Sequence, residues 1–123
     1  MVIDDDYYAC EITKQRLESV GYEVVTSDSS VGASQRILEE MPDVLLLDLT
    51  MPVLSGDDII DILNKRASTR NIPIIIHSIQ KYSVIEAKAQ ASGVLGAIEK
   101  TGNDELFISQ FEHLFDLVRQ NQG

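Results

Sequence analysis

No basic run occurs anywhere in this chain. Ten lysines and arginines stand against twenty aspartates and glutamates, for a formal charge of −10. A nucleic-acid surface needs a basic patch, so direct DNA or RNA binding is not expected of these residues. The single cysteine, Cys10, excludes an internal disulfide and suits a reducing compartment. Its ordinary place is a small buried position in a helix. Tryptophan is absent, and there is no low-complexity tract, linker or internal repeat. No apolar stretch approaches the roughly 20 residues of a membrane span, and no signal-peptide pattern is visible. A cytoplasmic protein without membrane contact is the expectation. The 123 residues are 44 % hydrophobic, which fits one domain, residues 1–123, with a core of its own.

Strand and helix signals alternate five times. Met1–Ile3 is a short apolar run, brief enough that native residues are expected to precede it. Tyr7 to about Val20 carries Ala9, Ile12, Arg16, Leu17 and Val20 at helical spacing, and Gly21 stops it. Glu23–Thr26 reads as a second strand. Ser29 and Ser30 are N-cap candidates for a helix to about Met41, which Pro42 ends. Val44–Leu47 is a third strand, followed by a helix opening at Asp57 and Asp58. Ile72–Ile76 is a fourth strand, Tyr82–Ser92 a helix ending at Gly93, and Ala97–Glu99 a fifth strand. Asn103–Gln120 is a periodic helix with Leu106, Phe107, Phe111, Leu114, Phe115 and Val118 on its apolar side. This alternation argues an α/β fold: one doubly wound five-stranded parallel sheet with helices on both faces.

The strand ends carry the chemistry. The first strand runs into Asp4, Asp5 and Asp6, and the third, Val44-Leu45-Leu46-Leu47, into Asp48. The fourth leads to His77 and Ser78, and the fifth to Lys100. Ligands bind beyond the carboxyl ends of strands in open parallel sheets. Carboxylates gathered there repel unless a cation joins them, and oxygen-only ligands suit Mg²⁺. Such a metal can hold a phosphoryl group, whose oxygens Lys100 and Ser78 would contact. Asp48 would be its nucleophile, because carboxylates form acyl phosphates. His77 alternates to the other side of its strand from Ser78 and reads as structural. Asp57 and Asp58 suit a helix N-terminus. The phenylalanine stripe reads as core.

The chain resembles the receiver domain of two-component response regulators over nearly its whole length. The carriers are Val2-Ile3-Asp4-Asp5-Asp6, Leu17…Gly21-Tyr22-Glu23-Val24, and Pro42 through Pro52 with Gly56. Pro73-Ile74-Ile75-Ile76-His77-Ser78 and Gly93 through Lys100 complete the set. The resemblance implies a flavodoxin-like strand order, 2-1-3-4-5. It implies Mg²⁺-dependent transfer of a phosphoryl group to Asp48 from the phosphohistidine of a sensor histidine kinase or histidine phosphotransfer protein. It implies metal ligation by Asp4, Asp5, Asp48 and the backbone carbonyl of Thr50, with Asp5 the more direct of the acidic pair. Ser78 becomes the switch hydroxyl and Lys100 the phosphoryl contact. Asp6 falls at a third, often polar position. The output would be a downstream effector protein or output domain, or a homodimer through the face of the fourth helix, fifth strand and fifth helix. The domain would be a switch with slow self-catalysed chemistry rather than an enzyme. A stand-alone receiver and a part of a larger regulator both stay open.

Three residues depart from the family pattern. Thr101 follows Lys100 where the family has a cis proline; cis bonds elsewhere cost about 2.5–4 kcal/mol, so the loop is expected to take another path. Ala97 stands where an aromatic switch is usual, which moves the expected output to the Ser78–Tyr82 loop and the helix after it. Ile79 replaces a small residue and is expected to narrow the approach to Asp48. Three rivals are weaker. An aspartyl phosphatase would place an acid where Thr50 stands. A degenerate receiver that only binds proteins would have lost an acid or the lysine. A flavin-binding domain of the same topology would have a Gly/Ser-rich phosphate loop where the acids are.

Overall fold

The apolar runs pair as five parallel strands in the expected order, 2-1-3-4-5, in a computed structural model that describes residues 1–120. The elements are β1 Val2–Ile3, α1 Tyr7–Glu18, β2 Thr26–Ser27, α2 Ala33–Glu40, β3 Leu45–Leu47, α3 Gly56–Asn64, β4 Ile74–Ser78, α4 Tyr82–Ser92, β5 Gly96–Glu99 and α5 Asp104–Gln120. The register sets Val2 beside Thr26 and Leu46, and Ile76 beside Leu47 and Ala97.

The chain steps outward from β1 to β2, then back across β1 to β3. Right-handed crossovers therefore put α1 on one face and α2, α3 and α4 on the other. Alternating strand residues serve the two faces. Ile3, Leu45, Leu47, Ile74 and Ile76 pack with Ile37, Ile59, Leu63 and Ile85. Val2, Leu46, Ile75 and Ile98 pack with Leu17 of α1 and with Phe107 and Phe111 of α5. Each such side chain contributes about 1.5–3 kcal/mol when fully buried. The reversal of direction opens a crevice where β1 and β3 end side by side, and the acids stand there.

Several boundaries differ from the sequence expectation, each for a local reason. β2 is an edge strand shifted to Thr26–Ser27, because its bonds to β1 begin only where Val2 N–H donates to Val25 O at 2.8 Å. β4 starts at Ile74 and reaches Ser78, because Pro73 has no N–H for the ladder and Ile72 turns back to Thr69 O. Ser29 and Ser30 do not cap α2. Gly32, at φ 77°, occupies the N-cap with no side-chain bond, and Ser30 Oγ instead donates to Pro52 O at 2.7 Å. The cap of α3 is Ser55, in a reciprocal capping box with Asp58. Ile12, Val20 and Leu106, read as apolar-face residues, are exposed.

One turn beside the site is strained. Leu54 N–H donates to Pro52 O at 2.8 Å, which closes a three-residue turn around Val53 at φ 70°. A β-branched residue in this region is an outlier, at about 1–2 kcal/mol. Val53 is 87 % exposed, so truncating it loses no packing. Val53→Gly is expected to stabilise the protein by about 1 kcal/mol in urea unfolding. A midpoint at or below that of the wild type would show that the turn stores no such strain.

Candidate functional site

The end of β1 delivers three acids, and the structure gives them different work. Asp6 caps α1: its Oδ1 accepts from Tyr8 N–H at 2.9 Å and from Ala9 N–H at 3.3 Å. Asp4 is buried, 3 % exposed, and its Oδ1 accepts from Asp6 N–H at 3.0 Å. Asp5 is exposed. The end of β3 delivers Asp48, 7 % exposed, whose Oδ1 accepts from Thr50 N–H at 3.3 Å. Carboxylate oxygens of Asp4, Asp5 and Asp48 lie within 4.8 Å of one another. At that distance two carboxylates repel by roughly 3–4 kcal/mol at an effective dielectric near 20.

Lys100 supplies the one ammonium among these acids. Its Nζ lies 2.6 Å from Asp4 Oδ2 and 3.6 Å from Asp48 Oδ2. Its position is set from β4, because Lys100 N–H donates to Ser78 O at 2.7 Å. Burial works to lower the Lys100 pKa, but the hydrogen bond and charge of Asp4 and the charge of Asp48 outweigh it, and the net shift is upward. Burial raises the pKa of Asp48. Lys100 opposes that rise, Asp4 and Asp5 add to it, and the Thr50 amide works against it. A weakly hydrated carboxylate in this state is a better nucleophile than one bathed in water. Ser78 closes the constellation at the end of β4; its buried Oγ accepts from Gln80 N–H at 3.1 Å and keeps its own proton to donate.

Three carboxylates face one ammonium, so the pocket holds uncompensated negative charge and only hard oxygen donors. That donor set fits a small divalent cation that keeps several waters, and does not fit a soft metal. The site can therefore hold such a cation beside a buried carboxylate, with a lysine and a hydroxyl on the same edge.

A sequence model of the family described as "Response regulator receiver domain" matches residues 1–112. The chain belongs to this family. Receiver domains are modules of two-component signalling, and several curated relatives are regulators. The transcriptional regulatory protein KdpE of Mycobacterium tuberculosis is 32 % identical over 121 residues, covering 98 % of this chain and 51 % of the relative. The protein-glutamate methylesterase/protein-glutamine glutaminase 2 of Rhodospirillum rubrum is 30 % identical over 130 residues, covering 100 % of this chain and 35 % of the relative. The chain thus spans about half the length, or less, of these relatives. Among solved structures, the chemotaxis protein CheY4 of Vibrio cholerae matches with a TM-score of 0.81 at 21 % identity, over 92 % of this chain and 94 % of that one. A receiver domain protein of Clostridium thermocellum matches with a TM-score of 0.80 at 26 % identity, over 97 % of this chain and 94 % of that one.

The departures from the receiver pattern have visible structural answers. No cis peptide bond occurs among the described residues, so the Lys100–Thr101 bond is trans. Thr101 Oγ1 accepts from Asn103 N–H at 3.2 Å and builds a turn of its own. Ala97 is buried, in the core cluster with Ile85 and Ala89 of α4, and lines a cleft shared with Tyr82, Glu86, His113 and Leu114. Ile79 is 81 % exposed, so its side chain stands largely in solvent. His77 faces away from the acids, against the Phe107 ring at 5.1 Å. Burial, with the charges of Lys100 and Arg16, pushes its pKa down to about 3, so it stays neutral and structural. Two residues of the neighbourhood were missed from sequence. Glu99 Oε1 accepts from Tyr82 N–H at 2.7 Å and caps α4, whose own N-cap Lys81 offers no side-chain bond. Arg16, read as part of an apolar face, reaches the loop after Lys100; a lone arginine on that face was the available signal.

No helix among the described residues is long and apolar enough to cross a membrane.

Proposed function

We propose that residues 1–123 form a phosphoacceptor switch that takes a phosphoryl group on Asp48 from the phosphohistidine of a sensor histidine kinase or histidine phosphotransfer protein. A carboxylate oxygen of Asp48 attacks phosphorus, the P–N bond to the donor imidazole breaks, and the imidazole leaves with a proton from solvent. The observation that carries this reading is the gathering of Asp4, Asp5 and Asp48 at one sheet edge, with Lys100 paired to Asp4 and Asp48. Asp5, Asp48 and the Thr50 carbonyl would hold Mg²⁺, with Asp4 as the second acid of the pair, and the ion would supply charge neutralisation at the phosphoryl oxygens. Lys100 would contact one phosphoryl oxygen by charge and Ser78 another by its hydroxyl proton. Asp4 holds Lys100 at the mouth of the pocket until then. Thr50 offers no carboxyl group to activate water, which suits a stoichiometric switch rather than a turnover enzyme. The partner after phosphorylation would be an effector protein or output domain, or a second copy, reached through α4, β5 and α5. A reducing, cytoplasmic setting suits the free, buried Cys10.

The test is phosphorylation with acetyl phosphate and with a phosphorylated histidine kinase, with and without Mg²⁺, read by intact mass. Wild-type protein is expected to gain one phosphoryl group only when Mg²⁺ is present, and Asp48→Asn none. A wild-type chain that accepts no phosphoryl group from either donor, or an Asp48→Asn variant labelled as fast as wild type, would sink the reading.

A further inference from the structure

We propose that Arg16 is a positioning residue for phosphoryl transfer, and that its guanidinium aims Lys100 by fixing the carbonyl of the next residue, Thr101. The inference rests on the phosphoacceptor reading above. Arg16 lies on the buried side of α1 between Thr13 and Leu17, and its side chain is only 9 % exposed. It bridges α1 to the loop after β5 and the start of α5: Nη2 donates to Thr101 O at 2.9 Å, and Nε lies 2.6 Å from Asp104 Oδ1. The guanidinium carbon sits 5.4 Å from the centre of the Phe107 ring, which holds the fork flat.

The need for such a contact follows from where β5 stops. Its ladder ends at Glu99, so Lys100 is the first residue outside the sheet. One side of Lys100 is fixed by its bond to Ser78 O. On the other side Thr101, joined to Lys100 by a trans bond, is held by two bonds: its Oγ1 accepts from Asn103 N–H within the turn, and its carbonyl accepts from Arg16. A planar fork grips the carbonyl and Asp104 together in fixed directions, whereas an ammonium is a point charge without that pre-organised geometry. If Arg16 merely pinned α1 to α5, Asp104 alone would suffice. Asp104 is 70 % exposed and its ion pair is screened by water, whereas the Thr101 carbonyl is the partner next to the reacting lysine.

Arg16→Met, Arg16→Lys and Asp104→Asn separate these roles. Initial phosphorylation rates with acetyl phosphate at saturating Mg²⁺ are measured with two other readouts: the rise in melting temperature on adding Mg²⁺, and the amide shifts of Lys100 and Thr101. Arg16→Met is expected to react roughly ten- to a hundredfold more slowly, the scale of a misplaced catalytic group. Its Mg²⁺-dependent rise in melting temperature is expected to stay, since no acid is touched. Arg16→Lys should recover part of the rate, and Asp104→Asn should match wild type. A wild-type rate in Arg16→Met overturns the proposal. So does a slowing matched by lost Mg²⁺ response, or an equal loss in Asp104→Asn. If Arg16→Met fails to fold, Arg16→Lys carries the same comparison, and a full wild-type rate there overturns it. If the wild type takes no phosphoryl group, the phosphoacceptor reading fails by itself. The amide shifts then decide: changes centred on Lys100 and Thr101 in Arg16→Lys support the positioning, and unchanged shifts there overturn it.

Discussion

Replacing Lys100 by methionine is expected to slow phosphorylation of Asp48 by about a hundredfold or more and to destabilise the metal-free protein by about 3 kcal/mol at neutral pH. Both effects have one origin. The ammonium is the only cation within 4 Å of Asp4 and Asp48 among the described residues. Without it, two buried carboxylates face each other and Asp5 with no partner. The stability figure sits at the lower end for breaking a buried pair because Lys100 keeps 20 % of its side chain in water. The pH dependence follows from Asp48. Its pKa is already raised by burial, and removing Lys100 takes away the main influence that opposes the rise. Between its unfolded value near 3.8 and its folded value, the native state binds more protons, so stability falls as pH rises through that window. The deficit of Lys100→Met is therefore full above the window and shrinks as pH falls through it. In the wild type the raised pKa of Lys100 works in the other range: its contribution is complete below pH 10.5 and is lost as pH rises through the folded value. Urea unfolding at several pH values, with and without Mg²⁺, checks this; a pH-independent deficit would contradict it. Added Mg²⁺ should narrow the deficit by binding the native state.

Adding a single methyl group at Gly56 is expected to be nearly as damaging. A Cβ there would stand 2.4 Å from Asp48 O, 2.8 Å from Leu49 Cα and 3.1 Å from Asp48 C. These are backbone atoms of the strand end that carries Asp48, so no side chain can swing aside. The first turn of α3 must retreat, and the bond from Gly56 N–H to Leu49 O, now 3.0 Å, goes with it. Gly56→Ala is expected to cost about 3 kcal/mol, at the upper end for overpacking. It should also slow phosphorylation by about a hundredfold, because Asp48 is moved relative to Asp4 and Lys100. Denaturant unfolding and acetyl phosphate kinetics test it; wild-type values in both would mean that α3 yields without moving Asp48.

What the sequence disclosed depended on how local each signal was. Asp48 was legible because an apolar run ends on it abruptly, and the same pattern marked Asp4, Asp5, Ser78 and Lys100. The strand order followed from the alternation of elements together with the family resemblance. Asp6 was less legible, since an acid after two acids reads as more of the same, yet it caps α1. The bounds of β2 were blurred because an edge strand with two paired residues leaves little trace in composition. The contacts that shape the site's surroundings were out of reach. Arg16 meets Thr101 across 85 residues, Ser30 meets Pro52 across 22, and Glu99 meets Tyr82 across 17. No periodicity encodes such pairs. They exist because the fold brings loop ends to one edge.

On the phosphoacceptor reading proposed above, the cap that Glu99 gives α4 would limit what this helix transmits. The helix draws the anchor of its first turn from a neighbouring strand, one residue before Lys100. An exposed charge-assisted bond of this kind is worth about 1 kcal/mol net. By itself that energy shifts two positions of the helix from equal occupancy to about five to one. On that proposed reading, movement of Lys100 toward a phosphoryl group would loosen α4 by that ratio through Glu99, as a graded bias. An all-or-none response would have to draw the remaining free energy from whatever binds the face that α4 presents.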